Sequence, residues 1–261
     1  MNGYTEITSP IEISAADTVN QAFGKIEDYL NSMLSKTEAA ENYATKVDLE
    51  AASIKWSILG KSELYEWVDL GLPSGLKWAT CNIGATKPED FGLYFAWGET
   101  QGYSGITDTK KFNWSDYELC GGSSSTFTKY NNNGSNGTVD NLTVLEQVDD
   151  AAYQSDNTCR MPTKSDFEEL TANTTSVWET LNGVKGRRFT SKTNGNSIFV
   201  PTAGSCGSGS VDYVGSGGGL WSSSLDESNS RDAWGLYFDS DYVYMGISSR
   251  CYGFTVRAVK F

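Results

Sequence analysis

Histidine is absent from all 261 residues of this chain. That absence excludes Ser-His-Asp hydrolases, Cys-His proteases, His-ligated zinc sites and imidazole proton shuttles together. The five cysteines, Cys81, Cys120, Cys159, Cys206 and Cys251, include no Cys-x-x-Cys pair, and their odd number leaves at least one unpaired in a monomer. Free, mostly buried thiols are the default expectation, an internal disulfide the lesser one. Positive charge is scarce: 20 Lys and Arg against 33 Asp and Glu give a formal charge of -13, which repels phosphate backbones and anionic membranes. Nucleic acid is therefore not an expected partner. Nor is membrane insertion, because no run of about 18 apolar residues could cross a bilayer. The start, Met1-Asn2-Gly3-Tyr4-Thr5-Glu6, has neither the basic opening nor the apolar run of a secretory leader. Action outside a cell would then require travel within something assembled inside, such as a virion.

What is present begins with a seam. Val19, Phe23, Ile26, Leu30, Met33, Thr37, Ala40, Ala44, Val47, Ala51 and Ile54 recur at alternating spacings of four and three. This heptad pattern predicts a coiled coil over residues 15–56, with Ser14 and Asp17 as a capping box. Tyr29, Leu34 and Tyr43 widen the apolar stripe, which favours more than two strands and predicts a homotrimer; a helical hairpin folded back on the rest of the chain is the alternative. The expected organisation is a helical oligomerising stalk over 1–60 and a ligand-binding head over 61–261.

In the head, Val68 to Ala79 reads as a hairpin with Pro73-Ser74-Gly75 at its turn, and Asp90 to Gly98 as an aromatic strand. Residues 100–140 read as a long polar loop region, Leu145–Tyr153 and Thr163–Asn173 as short helices, the second capped by Thr163 and Asp166. Strands are expected over 185–190 and 196–201. Near the C-terminus Trp234, Leu236 and Phe238, then Val243, Met245 and Ile247, fall on one face at period two, which sends Tyr242, Tyr244 and Ser248 to the other. Trp221, Trp234, Phe238 and Phe254 are assigned to the core. Tyr213, Tyr242, Tyr244 and Tyr252 lie among Ser, Gly, Asn and Asp, the composition with which antibody paratopes gain contact area at low entropic cost. Asp149, Asp150 and Asp156 have oxygen ligands that would suit calcium, but Asp149-Asp150 is more simply a dipole-favoured pair at a helix start, and no metal or cofactor is expected.

Three blocks carry a resemblance. Leu220-Trp221-Ser222-Ser223-Ser224 with Ala233-Trp234 and Gly253-Phe254-Thr255-Val256-Arg257 resembles the C-terminal region of C-type-lectin-like domains diversified by retroelements in phages and bacteria. Cys159-Arg160-Met161-Pro162-Thr163-Lys164-Ser165-Asp166-Phe167-Glu168-Glu169-Leu170 is similar to the signature of the formylglycine-generating branch of that fold. Val68-Asp69-Leu70-Gly71-Leu72-Pro73-Ser74-Gly75-Leu76-Lys77-Trp78-Ala79 resembles Bacteroides-type surface and phage domains. The resemblance implies an α+β, C-type-lectin-like domain behind the coiled-coil stalk. It also implies adhesion, at a phage tail-fibre tip within the virion or on a bacterial cell surface, to a bacterial surface protein or glycan; a fibre-cap domain that binds nothing is the structural alternative. Retroelement mutagenesis converts Asn-type codons to a restricted residue set. Only members of that set stand at Val211, Asp212, Tyr213, Asp226, Asn229, Arg231, Asp232, Asp239, Asp241, Tyr242, Tyr244, Gly246, Ser248, Ser249 and Cys251. With Tyr252 these are the expected ligand-binding residues; Glu227 and Met245 fall outside the set and are framework. Oxidase activity of the formylglycine-generating type is not expected, since Cys206 and Cys251 lack that family's paired-cysteine spacing.

Overall fold

The chain divides into two units, Met1–Leu64 and Tyr65–Phe261, and the computed structural model describes residues 65–261. The expected stalk and its trimer contacts over 15–56 lie outside the described residues.

Strands β1 (Trp67–Asp69) and β2 (Lys77–Ala79) pair antiparallel around the Leu72–Gly75 turn, and β13 (Val259–Lys260) adds to β2. Two short helices follow a long looped stretch, α1 (Ala151–Ser155) and α2 (Lys164–Asn173). Thr163 opens α2: its hydroxyl accepts from the Asp166 amide at 3.2 Å while the Asp166 carboxylate accepts from the Thr163 amide at 2.7 Å. Two of the donors left over at the helix start are thereby satisfied. A meander of β4 (Thr174–Leu181), β5 (Val184–Ser191) and β6 (Ser197–Pro201) comes next. Its first turn is Asn182-Gly183, both at positive φ (49° and 89°), the two-residue geometry that matches strand twist.

The largest sheet has the order β11-β10-β9-β12-β3, formed by β3 (Tyr94–Phe95), β9 (Gly217–Leu225), β10 (Asp232–Asp239), β11 (Val243–Ser249) and β12 (Phe254–Thr255). A small hairpin, β7 (Ser205–Gly207) with β8 (Ser210–Asp212), joins the flank of β12 through a Cys206–Gly253 bridge.

Two apolar clusters hold these pieces. In the first, Phe167 and Leu170 of α2 press on Trp78, Leu220, Leu236 and Phe238, with Val243 and Met245 packed at its border. The second gathers Tyr94, Phe112, Tyr117, Phe127, Cys206 and Cys251. Two arginines are fully buried and serve as internal struts. Arg257 donates to Asn82 Oδ1 and to the carbonyls of Ala79, Thr80 and Phe199, and burial pushes its pKa down to about 10. Arg250 donates to the Tyr117 hydroxyl and to the carbonyls of Lys129, Tyr130 and Ser230. Its guanidinium lies 4.5 Å from the Phe127 ring centre and 4.9 Å from that of Trp97. Carbonyls from strands and from loops far apart in sequence are tied together in this way.

The expected α+β, C-type-lectin-like class is corrected by this architecture. The described residues are built mainly from 13 strands in four sheets, and α1 and α2 are the α-helices among them. Short interlocking sheets, with α2 as one covering element, do the packing. Smaller corrections follow the same logic. Residues 145–153 hold a 3-10 turn and the start of α1 instead of one helix, because Asp150 interrupts the run to cap α1. The aromatic strand expected over 90–98 contracts to Tyr94–Phe95.

Candidate binding surface

The β10–β11 hairpin turns through Asp239-Ser240-Asp241-Tyr242. The Asp239 carboxylate accepts from the amides of Asp241 at 2.7 Å and Tyr242 at 2.8 Å, and these bonds hold its pKa below the usual carboxylate range. The Asp239 carbonyl is fixed from behind by Arg187 Nε at 2.9 Å. A rigid turn therefore presents Tyr242, 68% exposed, with Asp241 exposed beside it. Two residues on, Tyr244 is 55% exposed and stacks on Tyr237 with ring centres 5.7 Å apart.

Tyr237 explains the glycines. Its ring also meets Phe254 edge-on at 5.3 Å and spreads over Gly246, where an added Cβ would come within 3.0 Å of the ring. Gly246 is thus space for the two tyrosines and no contact in its own right. The Tyr237 hydroxyl is buried without a hydrogen-bond partner of regular geometry, although Ser248 lies near it, and burial pushes its pKa up.

Tyr213 reaches the same end of the sheet. Its carbonyl accepts from the Ser216 and Gly217 amides at 3.0 Å, and Gly217 pairs with Asp239 at the end of β10. Tyr213 is 72% exposed, with Val211, Asp212 and Val214 exposed beside it in sequence. Asp212 accepts from the Ser210 hydroxyl at 2.7 Å.

The remaining expected residues gather at the other end of β11 or inside the protein. Asp232 accepts from Ser249 Oγ at 3.3 Å and Asn229 Nδ2 at 2.6 Å, its pKa raised by burial and by the nearby Asp226 charge. Asp226 is itself buried and accepts from the Ser228 hydroxyl and amide. Arg231 is exposed but directed to the Ser124 carbonyl and Asn136 Oδ1. Ser248 is half-buried, and Tyr252 is half-buried against Gly207 of β7. Cys251 is buried in the second apolar cluster, and burial pushes its thiol up to about 12. It cannot meet a ligand.

Two further departures lie on the opposite face of the sheet. Ile247, expected inward, is 46% exposed, because Val243 and Met245 reach the apolar cluster and Ile247 lies beyond it. Trp234, assigned to the core, is half-buried with Lys164 Nζ 3.7 Å above its ring. It lines an open groove of about 670 Å³ with Thr143, Val144, Ser165, Glu168 and Ser228.

The three aspartates weighed for calcium are engaged in structure. Asp149 pairs with Lys129 and Tyr130, Asp150 caps α1 and accepts from the Met161 amide, and Asp156 accepts from Thr158. No group of three or more metal-ligating side chains converges among the described residues. All five cysteines are free thiols, four of them buried. What the surface offers is aromatic area, carboxylates and small polar groups on a fixed backbone. The chain matches no family model, no curated protein and no solved structure.

Proposed function

We propose that the chain is an adhesion protein that binds a bacterial surface receptor through the end of the main sheet where Tyr213, Tyr242 and Tyr244 stand. One observation carries this reading: three tyrosines, each more than half exposed, project from backbone that is pinned by Asp239, Arg187 and Gly217. Large aromatic side chains exposed in this way are costly to solvate and gain most from a partner, and rigid presentation lowers the entropy lost on binding. The vehicle we propose is a phage tail fibre, with a bacterial cell surface as the second setting. Diversification by a retroelement would act on the 239–242 turn and on the exposed segment 211–214 at this end, where side chains can change without touching either apolar cluster.

Replacing Asp241, Tyr242 and Tyr244 together by Ala tests the reading. The melting temperature is expected to stay within a few degrees, since surface changes cost less than about 0.5 kcal/mol each. Attachment of the fluorescently labelled protein to a panel of intact bacterial cells is expected to disappear. Undiminished attachment by a folded triple variant would refute the assignment.

A further inference from the structure

Strand β11 ends its sheet, and no strand among the described residues pairs with its outer edge. The Asp239 amide bonds the Tyr242 carbonyl, and the register pairs Tyr237 with Tyr244, Gly235 with Gly246 and Ala233 with Ser248. Antiparallel pairs alternate between bonded and non-bonded, so Val243, Met245 and Ile247 turn their N–H and C=O groups away from β10. No hydrogen bond from these groups to another described residue closes that edge. Edges of this kind are normally blunted by charge, proline or a covering element. The segment Val243-Tyr244-Met245-Gly246-Ile247-Ser248-Ser249 has neither a charged residue nor a proline. The exposed Asp241 and half-buried Asp239 stand at its turn end, and Asp232 of β10 faces Ser249 across the ladder at the other, on a chain whose formal charge is -13. Like charge opposes a second copy of the chain here, whereas a cationic segment is attracted.

We propose that β11 receives an extended, lysine- or arginine-bearing segment of a receptor polypeptide as a sixth strand of the sheet. The proposal rests on the receptor-binding reading above and names the partner as protein rather than glycan. Main-chain pairing supplies the anchor, and the exposed Tyr244 on one face and Ile247 on the other flank the incoming strand and select its side chains. The arrangement also accommodates change, because backbone hydrogen bonds persist whichever side chains occupy positions 242 and 244.

The test uses the full chain and a labelled synthetic peptide of alternating threonine and lysine, about as long as β11, followed by fluorescence polarisation. Two comparison peptides are the same sequence N-methylated at alternate amides and one with glutamate in place of lysine. Saturable binding is expected for the threonine–lysine peptide, with a loss of about tenfold or more on N-methylation. Ile247→Pro should cause a similar loss, because it removes an outward N–H and leaves the β10 ladder whole. Ile247→Lys, which places a charge on the edge, serves the same purpose should the proline variant fail to fold. Amide exchange at Val243, Met245 and Ile247 should slow in the complex. Equal binding of the N-methylated peptide, no binding of the parent peptide, or a concentration-dependent dimer abolished by Ile247→Pro would each overturn the proposal. The two readings separate in cell attachment. If the tyrosine triple variant fails while Ile247→Pro attaches, strand addition falls and the receptor surface stands; the reverse pattern removes the tyrosine surface and keeps the edge.

Discussion

Arg250 offers the sharpest test of how this fold is held. Its guanidinium donates to four acceptors: the Tyr117 hydroxyl at 3.0 Å and the carbonyls of Tyr130 at 2.9 Å, Ser230 at 3.0 Å and Lys129 at 3.1 Å. The rings of Trp97, Tyr117, Phe127 and Tyr130 surround it, and no ion pair to an acidic residue accompanies it among the described residues. Arg250→Met keeps the apolar stem and removes the fork. Leaving buried acceptors unpaired costs about 1 kcal/mol each at the low end, or roughly 4 kcal/mol for the four, and lost cation–π attraction adds about 1 kcal/mol. Relief of the buried charge offsets part of this, so a net loss of about 3–5 kcal/mol is expected. For a domain of this size that lowers the melting temperature by roughly 10 °C or more. Urea unfolding should show a lower midpoint at unchanged slope. Arg250→Lys retains charge but offers a point donor in place of a planar fork, and should recover only part of the loss. An Arg250→Met protein within about 0.5 kcal/mol of the parent would refute the account, because it would mean that the loops at 117, 129–130 and 230 satisfy themselves without the arginine.

Two further expectations use the same physics. Trp221 is fully buried, meets Phe254 edge-on at 4.8 Å and donates to the Phe95 carbonyl at 2.9 Å, so Trp221→Ala should cost roughly 3–5 kcal/mol in chemical denaturation. Asp140 is partly desolvated, which would raise its pKa, but the amides of Asn131, Tyr130 and Leu142 outweigh that and hold it below the ordinary 3.8. A carboxylate with a depressed folded pKa stabilises above its unfolded pKa and loses that contribution as pH falls through the folded value. The melting-temperature gap between Asp140→Asn and the parent should accordingly be open at pH 7 and close as the pH drops below about 4; a gap independent of pH would contradict the assignment.

Local signals in the sequence translated well where the physics is local. The Thr163–Asp166 box, the turn between β1 and β2, and the strands around Arg187, Ile198, Leu236 and Met245 depend on neighbours a few residues away. The fold class did not translate, because it depends on which surfaces meet. Nothing in the period of Thr174–Leu181 or Ser197–Pro201 says that they would form a separate meander, and short strands such as Phe254–Thr255 carry too few residues for any period. Ile247 shows the limit most clearly. Period two correctly places it on the face of Val243 and Met245, yet that face extends further than the apolar cluster that covers it.

The expected binding residues divide for a related reason. Residue type marks what a side chain could do, and burial decides whether it can. Tyr242 in the turn and Tyr244 on β11 extend into solvent, whereas Tyr237, on the same face as Tyr244, is pressed flat because Gly235 and Gly246 leave room for it. Cys251 follows Arg250 into the interior, and Asp226 and Asp232 are occupied by Ser228, Asn229 and Ser249. Freedom to vary is therefore uneven along the segment. Substitution at 241, 242 or 244 alters a surface held by backbone bonds that do not involve those side chains, while any side chain at 246 would displace Tyr237 and disturb its contact with Phe254. The receptor surface we propose would change its chemistry at the turn and keep one fixed element, the outer edge of β11, through every change.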